Sequence, residues 1–328
     1  DLRNQEYCVF NQPIGKTKFE AIWTEVFNGA YSALEAFRER YEAFLLNEPK
    51  RCLRNTNVED CDGDVLVDCQ NVHESYNMFG ARNAFHCYDS LWLEESMDIS
   101  MFGRAMSYCY ELSGCGATVG QSGISNCTFS SYIFYGGYDV HYSMSCNQNS
   151  KYLFGCADLR GQQYCILNHQ YTQVEYECLL PQVIAHMQRT GEWGQFFPLR
   201  ISPYGYNESL AFESMPLSKE EAMAMDANWS EYVAPNPQVE KTIAAHQLPD
   251  VVEDYKALSE SLVIRCATTG KPFKLTSAEL AFYERYRLPL PRIHPTERQR
   301  LRRMKYNPYQ LRDAVCCVSG ETIKTSYP

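Results

Sequence analysis

The chain of 328 residues has no apolar run of 18 or more, so no part of it is suited to crossing a bilayer as a helix. Its opening, "DLRNQEYC", lacks the basic-then-apolar order of a secretory leader. There is no G-x-S-x-G and no H-E-x-x-H, which removes two common hydrolase plans. "GCGATVGQSG" (114–123) is glycine-rich but opens no helical pattern, so a phosphate loop is not expected. No heptads occur, and no C-x-x-C occurs despite 15 cysteines. Positive charge is in short supply: 30 Lys and Arg face 40 Asp and Glu, a net charge of −10. That argues against coating nucleic acid with the whole surface and leaves only a local basic patch. Paired carboxylates occur as chain neighbours, Glu94-Glu95 and Glu220-Glu221, which point different ways. Asp60, Asp62, Asp64 and Asp68 read as turn residues ahead of calcium or sugar chemistry.

The cysteines that are present form an ordered series. The intervals along Cys52, Cys69, Cys87, Cys109, Cys127, Cys146 and Cys165 run 17, 18, 22, 18, 19 and 19. A second series precedes it by eight or nine positions, at Cys61, Phe79, Met101, Thr118, Gly137 and Cys156. Short aromatic stretches such as "SYIFY" and "KYLFG" alternate with Asn, Asp, Gly and Ser. A period near 19 without a helical stripe predicts a parallel β-solenoid with about 19 residues per coil. The six cysteines from Cys69 to Cys165 are expected to be buried in one column, as small core residues ahead of metal ligands or disulfides. His73, His86 and His141 fall within it and read as turn or surface residues.

One phrase is said twice. "DLRNQEYCVFN" (1–11) returns as "DLRGQQYCILN" (158–168), with seven identities. Both copies precede helical patterns, Lys16–Leu46 with a break at Asn28-Gly29, and Tyr171–Gly194, where Pro181 is expected to start a second helix. The chain therefore reads as a tandem duplication. Asp1–Asn11 is expected to be the last rung of an earlier ladder, and Asp1, not Met, to follow upstream sequence. Ser218 and Glu221 form a capping box, and "VAPNPQ" (233–238) reads as a linker.

Beyond Val263 the character changes. "CATTGKPF" and "CVSGETI" resemble zinc-ribbon knuckles whose second Cys has become Thr269 or Ser319. Cys266, His294, Cys316 and Cys317 are the remnant ligand set for zinc, with no metal site or other cofactor favoured. Residues 284–312 carry nine Lys or Arg, among them Arg298, Arg300, Arg302, Arg303 and Lys305, the candidate anion-binding group. A solvated helix is the simpler reading of it.

The expected architecture is mixed α/β: 1–15 the last rung of an upstream solenoid copy, 16–50 a helical linker or cap, 51–170 the β-solenoid, 171–250 a helical and irregular cap, and 251–328 a small, degenerate zinc-ribbon-like basic domain. The ladder, "LFGCADLRGQQYCILNHQYTQVEYECLLPQVIAHMQRTGEWGQFFP", "SPYGYNES", "PLSKEEA" and "LPLPRIHPTERQRLR" together resemble a family of Cys-rich repeat proteins. That family is known mainly from genomes of uncultivated bacteria, notably the small-genome candidate phyla. The resemblance implies this architecture and an upstream knuckle, and no particular reaction. Its members carry denser cysteines and intact C-x-x-C knuckles, several of which are lost here.

The functional expectation is a non-enzymatic scaffold, with a protein partner or a second copy of the chain bound through the solenoid. The alternative is an RNA- or ribosome-associated factor acting through the basic segment, and a polysaccharide-acting β-helix enzyme comes third. Cytoplasmic placement is favoured, with an extracellular one left open.

Overall fold

In the computed structural model, which describes residues 6–117, 123–232, 242–258 and 263–327, every third residue of the first coils points inward. Leu66, Cys69, Val72, Ser75, Met78, Ala81, Ala84, Cys87, Ser90, Leu93, Ser96 and Ile99 are all buried. The residue before each corner cysteine or serine sits in the left-handed region: Asp68, Glu74, His86, Asp89 and Glu95 have φ of 46–55°. Each such residue turns the chain by roughly one side of a square. Asn and Asp recur there because their short polar side chains tolerate that conformation best.

Four three-residue sides close one coil. The register passes through His73, Phe85, Met97, Tyr110, Thr128, His141, Phe154 and Ile166, each paired in parallel with the next. These are about seven turns of a parallel β-solenoid. Each rung lies 12 or 13 positions after the one before it, except for the step of 18 between Tyr110 and Thr128. The expected coil length near 19 is therefore corrected to 12 or 13. The cysteines are buried but do not share one column. Cys165 lies in register with Leu153 and Val140, whereas Cys87, which directly precedes the Tyr88 paired with Tyr76, belongs to the column of Ser75. From Cys69 to Cys87 a step of 18 is six triplets, or one and a half coils, whereas from Cys109 to Cys127 it is the one longer coil. The apparent period arose from counting one residue type across several columns.

The rest of this unit closes on the solenoid. Helix α3, numbered after two helices described below, spans Gln173–Thr190. It starts at a capping box in which the Thr172 hydroxyl accepts from the Glu175 N–H. Pro181 lies inside this single helix and starts no second one. The carbonyl that loses its partner belongs to Glu177, an exposed residue, so water can satisfy it. Tyr176 of α3 is buried with Phe129, Tyr142, Phe154 and Ile166. A compact unit of Arg51–Ser230 and Asn307–Pro328 results. No described helix is long and apolar enough to cross a membrane.

A second compact unit comprises Asp1–Lys50 and Glu231–Tyr306. The segment 251–328 is thus divided between the two. In the second unit the hairpin Cys8–Val9/Gln12–Pro13 leads into α1 (Lys16–Val26) and α2 (Tyr31–Asn47), broken about the expected Asn28-Gly29. The Ser32 N–H and hydroxyl donate to Asp250 at 2.8 and 2.6 Å, and the Arg292 guanidinium lies 3.9 Å from the Tyr31 ring. Thr242–Ala244, Val263–Arg265 and Pro272–Lys274 form a small sheet over a core that includes Ile264, Cys266 and Phe273. The expected residues Asp1–Gln5, Thr118 and the linker 233–238 lie outside the described residues, as does part of "GCGATVGQSG".

The two copies of the repeated phrase adopt one conformation over the described residues. Cys8 pairs with Pro13 and Val9 with Gln12; Cys165 pairs with Gln170 and Ile166 with His169. Tyr7 packs edge-on against Phe19 at 5.8 Å and 63°, and Tyr164 against Tyr176 at 5.8 Å and 64°. The equivalence of the two copies therefore extends from the hairpin into the following helix.

Candidate interaction surface

The solenoid cysteines have a structural task. A left-handed residue at a corner turns the carbonyl of the residue before it away from the ladder. The inward thiol two residues on donates to that carbonyl: Cys69 to Val67 at 3.3 Å, Cys87 to Phe85 at 3.2 Å, Cys127 to Ser125 at 3.4 Å, Cys165 to Gln163 at 3.5 Å. Serines hold equivalent corners in the same way, with Ser75 donating to His73 and Ser143 to His141, both at 2.8 Å. Their oxygens also accept the N–H of the next coil, Cys87 on Ser75 at 3.0 Å and Cys156 on Ser143 at 3.0 Å. Burial pushes the Cys87, Cys109 and Cys146 thiols up to about 11 and Cys115 to about 12, so these sulfurs are neutral and poorly nucleophilic.

Outside the core, polar ladders connect successive corners. Asn57 donates to Asp68 at 2.6 Å, Asn71 to Asn83 at 2.7 Å and Asn77 to Asp89 at 2.6 Å. His73 bridges Asp62 at 2.7 Å and Asn71 at 2.9 Å, and His86 faces Glu74 at 3.2 Å. Asp60 and Asp68 are corner residues, as expected of turn formers. Asp64 is different. It is 1% exposed, accepts from Arg54 at 2.6 Å and from its N–H at 2.7 Å, and is bonded to the Ser326 hydroxyl. Burial alone would raise its carboxyl, but these donors outweigh it and hold the group below the usual range. Nearby, Tyr309 stacks on Tyr76 and Tyr88 at 5.4 and 5.5 Å, and its hydroxyl donates to Asp89 at 2.6 Å. The C-terminal residues thus close the first coils, a role that sequence reasoning did not assign to them.

The remnant ligands are not gathered. Cys266 and His294 belong to one unit, Cys316 and Cys317 to the other. The two turns close alike: the Gly270 N–H donates to the Cys266 carbonyl at 3.0 Å, and the Gly320 N–H to that of Cys316 at 2.9 Å. The Cys266 sulfur accepts the His294 N–H at 3.3 Å, while the imidazole Nδ1 accepts the Thr296 N–H and caps the helix Pro295–Arg303. Burial would raise the Cys266 thiol, but the His294 N–H and neighbouring hydroxyls bring it to about 6. Cys316, at the surface, is brought to about 7 by Ser319. Among the described residues no three His, Cys, Asp or Glu side chains are placed to hold a metal ion.

The basic group is largely engaged within its own unit. Arg300 forks onto Glu297 at 2.7 and 2.8 Å, Lys305 meets Glu42 at 3.1 Å, and Arg298 donates to the Tyr283 hydroxyl at 3.3 Å. Arg302 is exposed and Arg303 half-buried.

The ladder's Tyr and Phe are expected to supply an interface on a side face, without particular residues being named; such a surface lies on the solenoid flank. Phe79 and Trp92, on successive coils, meet edge-on at 5.7 Å, and Arg104 lies 4.6 Å over Trp92. Phe134 packs against Phe102 at 6.2 Å, Tyr135 at 6.0 Å and Tyr132 at 6.4 Å. Trp92 lies flat over Gly80, where a Cβ would come within 2.3 Å of the indole, so only glycine fits beneath it. Phe79, Trp92, Phe102, Tyr132 and Tyr135 are each 37–56% exposed, which makes this an apolar, hydrogen-bonding face on a rigid support. No family model matches the chain, and no curated protein matches it.

Proposed function

We propose that the protein is a non-enzymatic scaffold whose solenoid holds an aromatic flank for docking another protein or a second copy of itself. The observation that carries this reading is the exposed row Phe79, Trp92, Phe102, Tyr132 and Tyr135. Aromatic residues on a pre-organised surface lose little conformational freedom on binding and are enriched in protein interfaces. The basic helix supports the RNA reading less well, because Arg300 and Lys305 already face carboxylates. The two knuckle turns are, in this reading, degenerate zinc-ribbon elements that keep the turn without the metal. Thiols engaged with carbonyls favour a reducing compartment such as the cytoplasm. A photo-crosslinker at Trp92 in the native host tests the proposal. A discrete protein adduct, lost when Tyr132→Glu is added, is expected. Recovery of RNA instead, removed by changing Arg298, Arg300, Arg302 and Arg303 to Glu, would overturn it.

A further inference from the structure

The duplication leaves one copy of a packed interface open. In the second copy, Cys165 and Ile166 are 2% and 5% exposed because they pair with Leu153 and Phe154 of the preceding coil. Tyr164 stacks flat on Tyr152 at 4.9 Å, and Tyr176 of α3 is buried against this aromatic column. In the first copy the equivalent residues Tyr7, Cys8, Val9 and Phe19 are only half-buried. Cys8, Val9 and Phe19 border an apolar groove of about 530 Å³ between the hairpin, α1 and α2, lined also by Trp23, which is 55% exposed.

We propose that the Tyr7–Phe27 hairpin and helix form the end cap of a β-solenoid, and that the groove seats a coil running directly into Asp1, as Ser145–Ala157 runs into Asp158. The second copy names what covers this face. The occupant is a parallel rung, because Cys165 and Ile166 take a parallel partner on this side and an antiparallel one on the other. It carries an aromatic residue 12 positions before Tyr7, as Tyr152 precedes Tyr164. It carries a large apolar residue 12 positions before Val9, as Phe154 precedes Ile166. An inward apolar residue lies between them, 12 positions before Cys8, as Leu153 precedes Cys165. A second copy of the chain does not satisfy this geometry with its last rung, since β-pairing on that rung is already completed by His169–Gln170. The inference is independent of what the aromatic flank binds.

The test is a full chain extended at its N-terminus by a copy of its own residues 124–157, compared with the parent and with a scrambled extension. Hydrogen exchange is read at Val9 and Phe19, with Ile166 and Tyr176 reporting that the second copy stays folded. Exchange at Val9 and Phe19 should slow about tenfold or more in the extended chain alone, and Trp23→Glu should reverse it. Equal exchange in all three chains, or equal slowing by the scrambled extension, would refute the proposal. Slowing in the unextended parent as its concentration rises would assign the groove to a second copy and also refute it. Failure of Trp92 to crosslink a protein leaves this result untouched.

Discussion

Replacing one corner thiol by a hydroxyl should make the protein more resistant to alkali. Cys87, Cys109, Cys115 and Cys146 are neutral in the fold, with pKa values of about 11, 11, 12 and 11 against 9.0 for an ordinary thiol. Because the folded values are raised, the stabilisation associated with these groups is complete below pH 9 and is lost as pH rises towards 11. Unfolding then releases protons that the fold had retained. Between pH 8 and pH 10 the loss is on the order of 1 kcal/mol per thiol, or roughly 5 kcal/mol for the four, from the linkage relation. That is comparable with the whole stability of an ordinary domain, about 5–15 kcal/mol. Cys87→Ser keeps the corner hydrogen bond, as Ser75 and Ser96 show at 2.8 and 2.9 Å, and removes one titrating group. Urea midpoints and slopes for the parent and Cys87→Ser at pH 8, 9 and 10 provide the assay. The variant should lose on the order of 1 kcal/mol less than the parent over that interval, whatever its stability at pH 8. The tyrosines titrate equally in both chains and cancel in the difference. Equal losses in the two chains would refute the assignment of these thiols as neutral core groups.

Three further outcomes follow from the same geometry. Asp64→Asn should destabilise the solenoid unit by about 2 kcal/mol at pH 7 in a urea titration, a modest value because its partner Arg54 can reach water; this advantage over the variant, present above the ordinary carboxyl pKa, should fade as acid protonates Asp64. Tyr309→Ala should remove about 2–3 kcal/mol and release the C-terminal residues, read as faster proteolysis after Asn307 with Ile166 still protected from exchange. A disulfide-exchange reagent at pH 8 should label Cys52, Cys178, Cys316 and Cys317 in the folded protein, whereas Cys87, Cys109, Cys115 and Cys127 should react only on global unfolding.

The solenoid was legible as a class but not in its period. The corner position accepts Cys, Ser, Ala, Val, Leu or Met, provided that the side chain is compact enough for a narrow core. Any one of these residue types samples the triplets irregularly. Tracking cysteine alone gave intervals of 18 and 19, which mix jumps between columns with the one long coil from Cys109 to Cys127. The triplet signal is present in "LVDCQNVHESYNMFGARNAFHC", where an inward residue follows each of Asp68, Asn71, Glu74, Asn77, Gly80, Asn83 and His86. The repeated phrase was legible because hairpin and helix entry are local. Seven identities were enough to identify the shared conformation. The closure of the first coils was not, since Asp64 and Ser326 are 262 residues apart and no local pattern links a buried carboxylate to a distant serine.

The candidate ligands show where residue identity and geometry separate. A knuckle turn is held by backbone: Cys266 donates its N–H to the Lys271 carbonyl and Cys316 donates its own to that of Glu321, with Gly270 and Gly320 supplying the left-handed residue. Those bonds need no metal, so the turns close with Thr269 and Ser319 in them. The sequence therefore identified the turns and favoured no metal site at them. His294 stands beside Cys266 through its backbone N–H, while its ring serves a helix start, a use that spacing alone does not distinguish from ligation. The particular residues of the aromatic flank were not legible for the opposite reason. Phe79, Trp92, Phe102 and Tyr132 follow no shared interval, and they come together only because the four-sided coils bring them to one side. A surface defined by coil length could be found only after the coil length was known, and that length is written in the corners rather than in the cysteines.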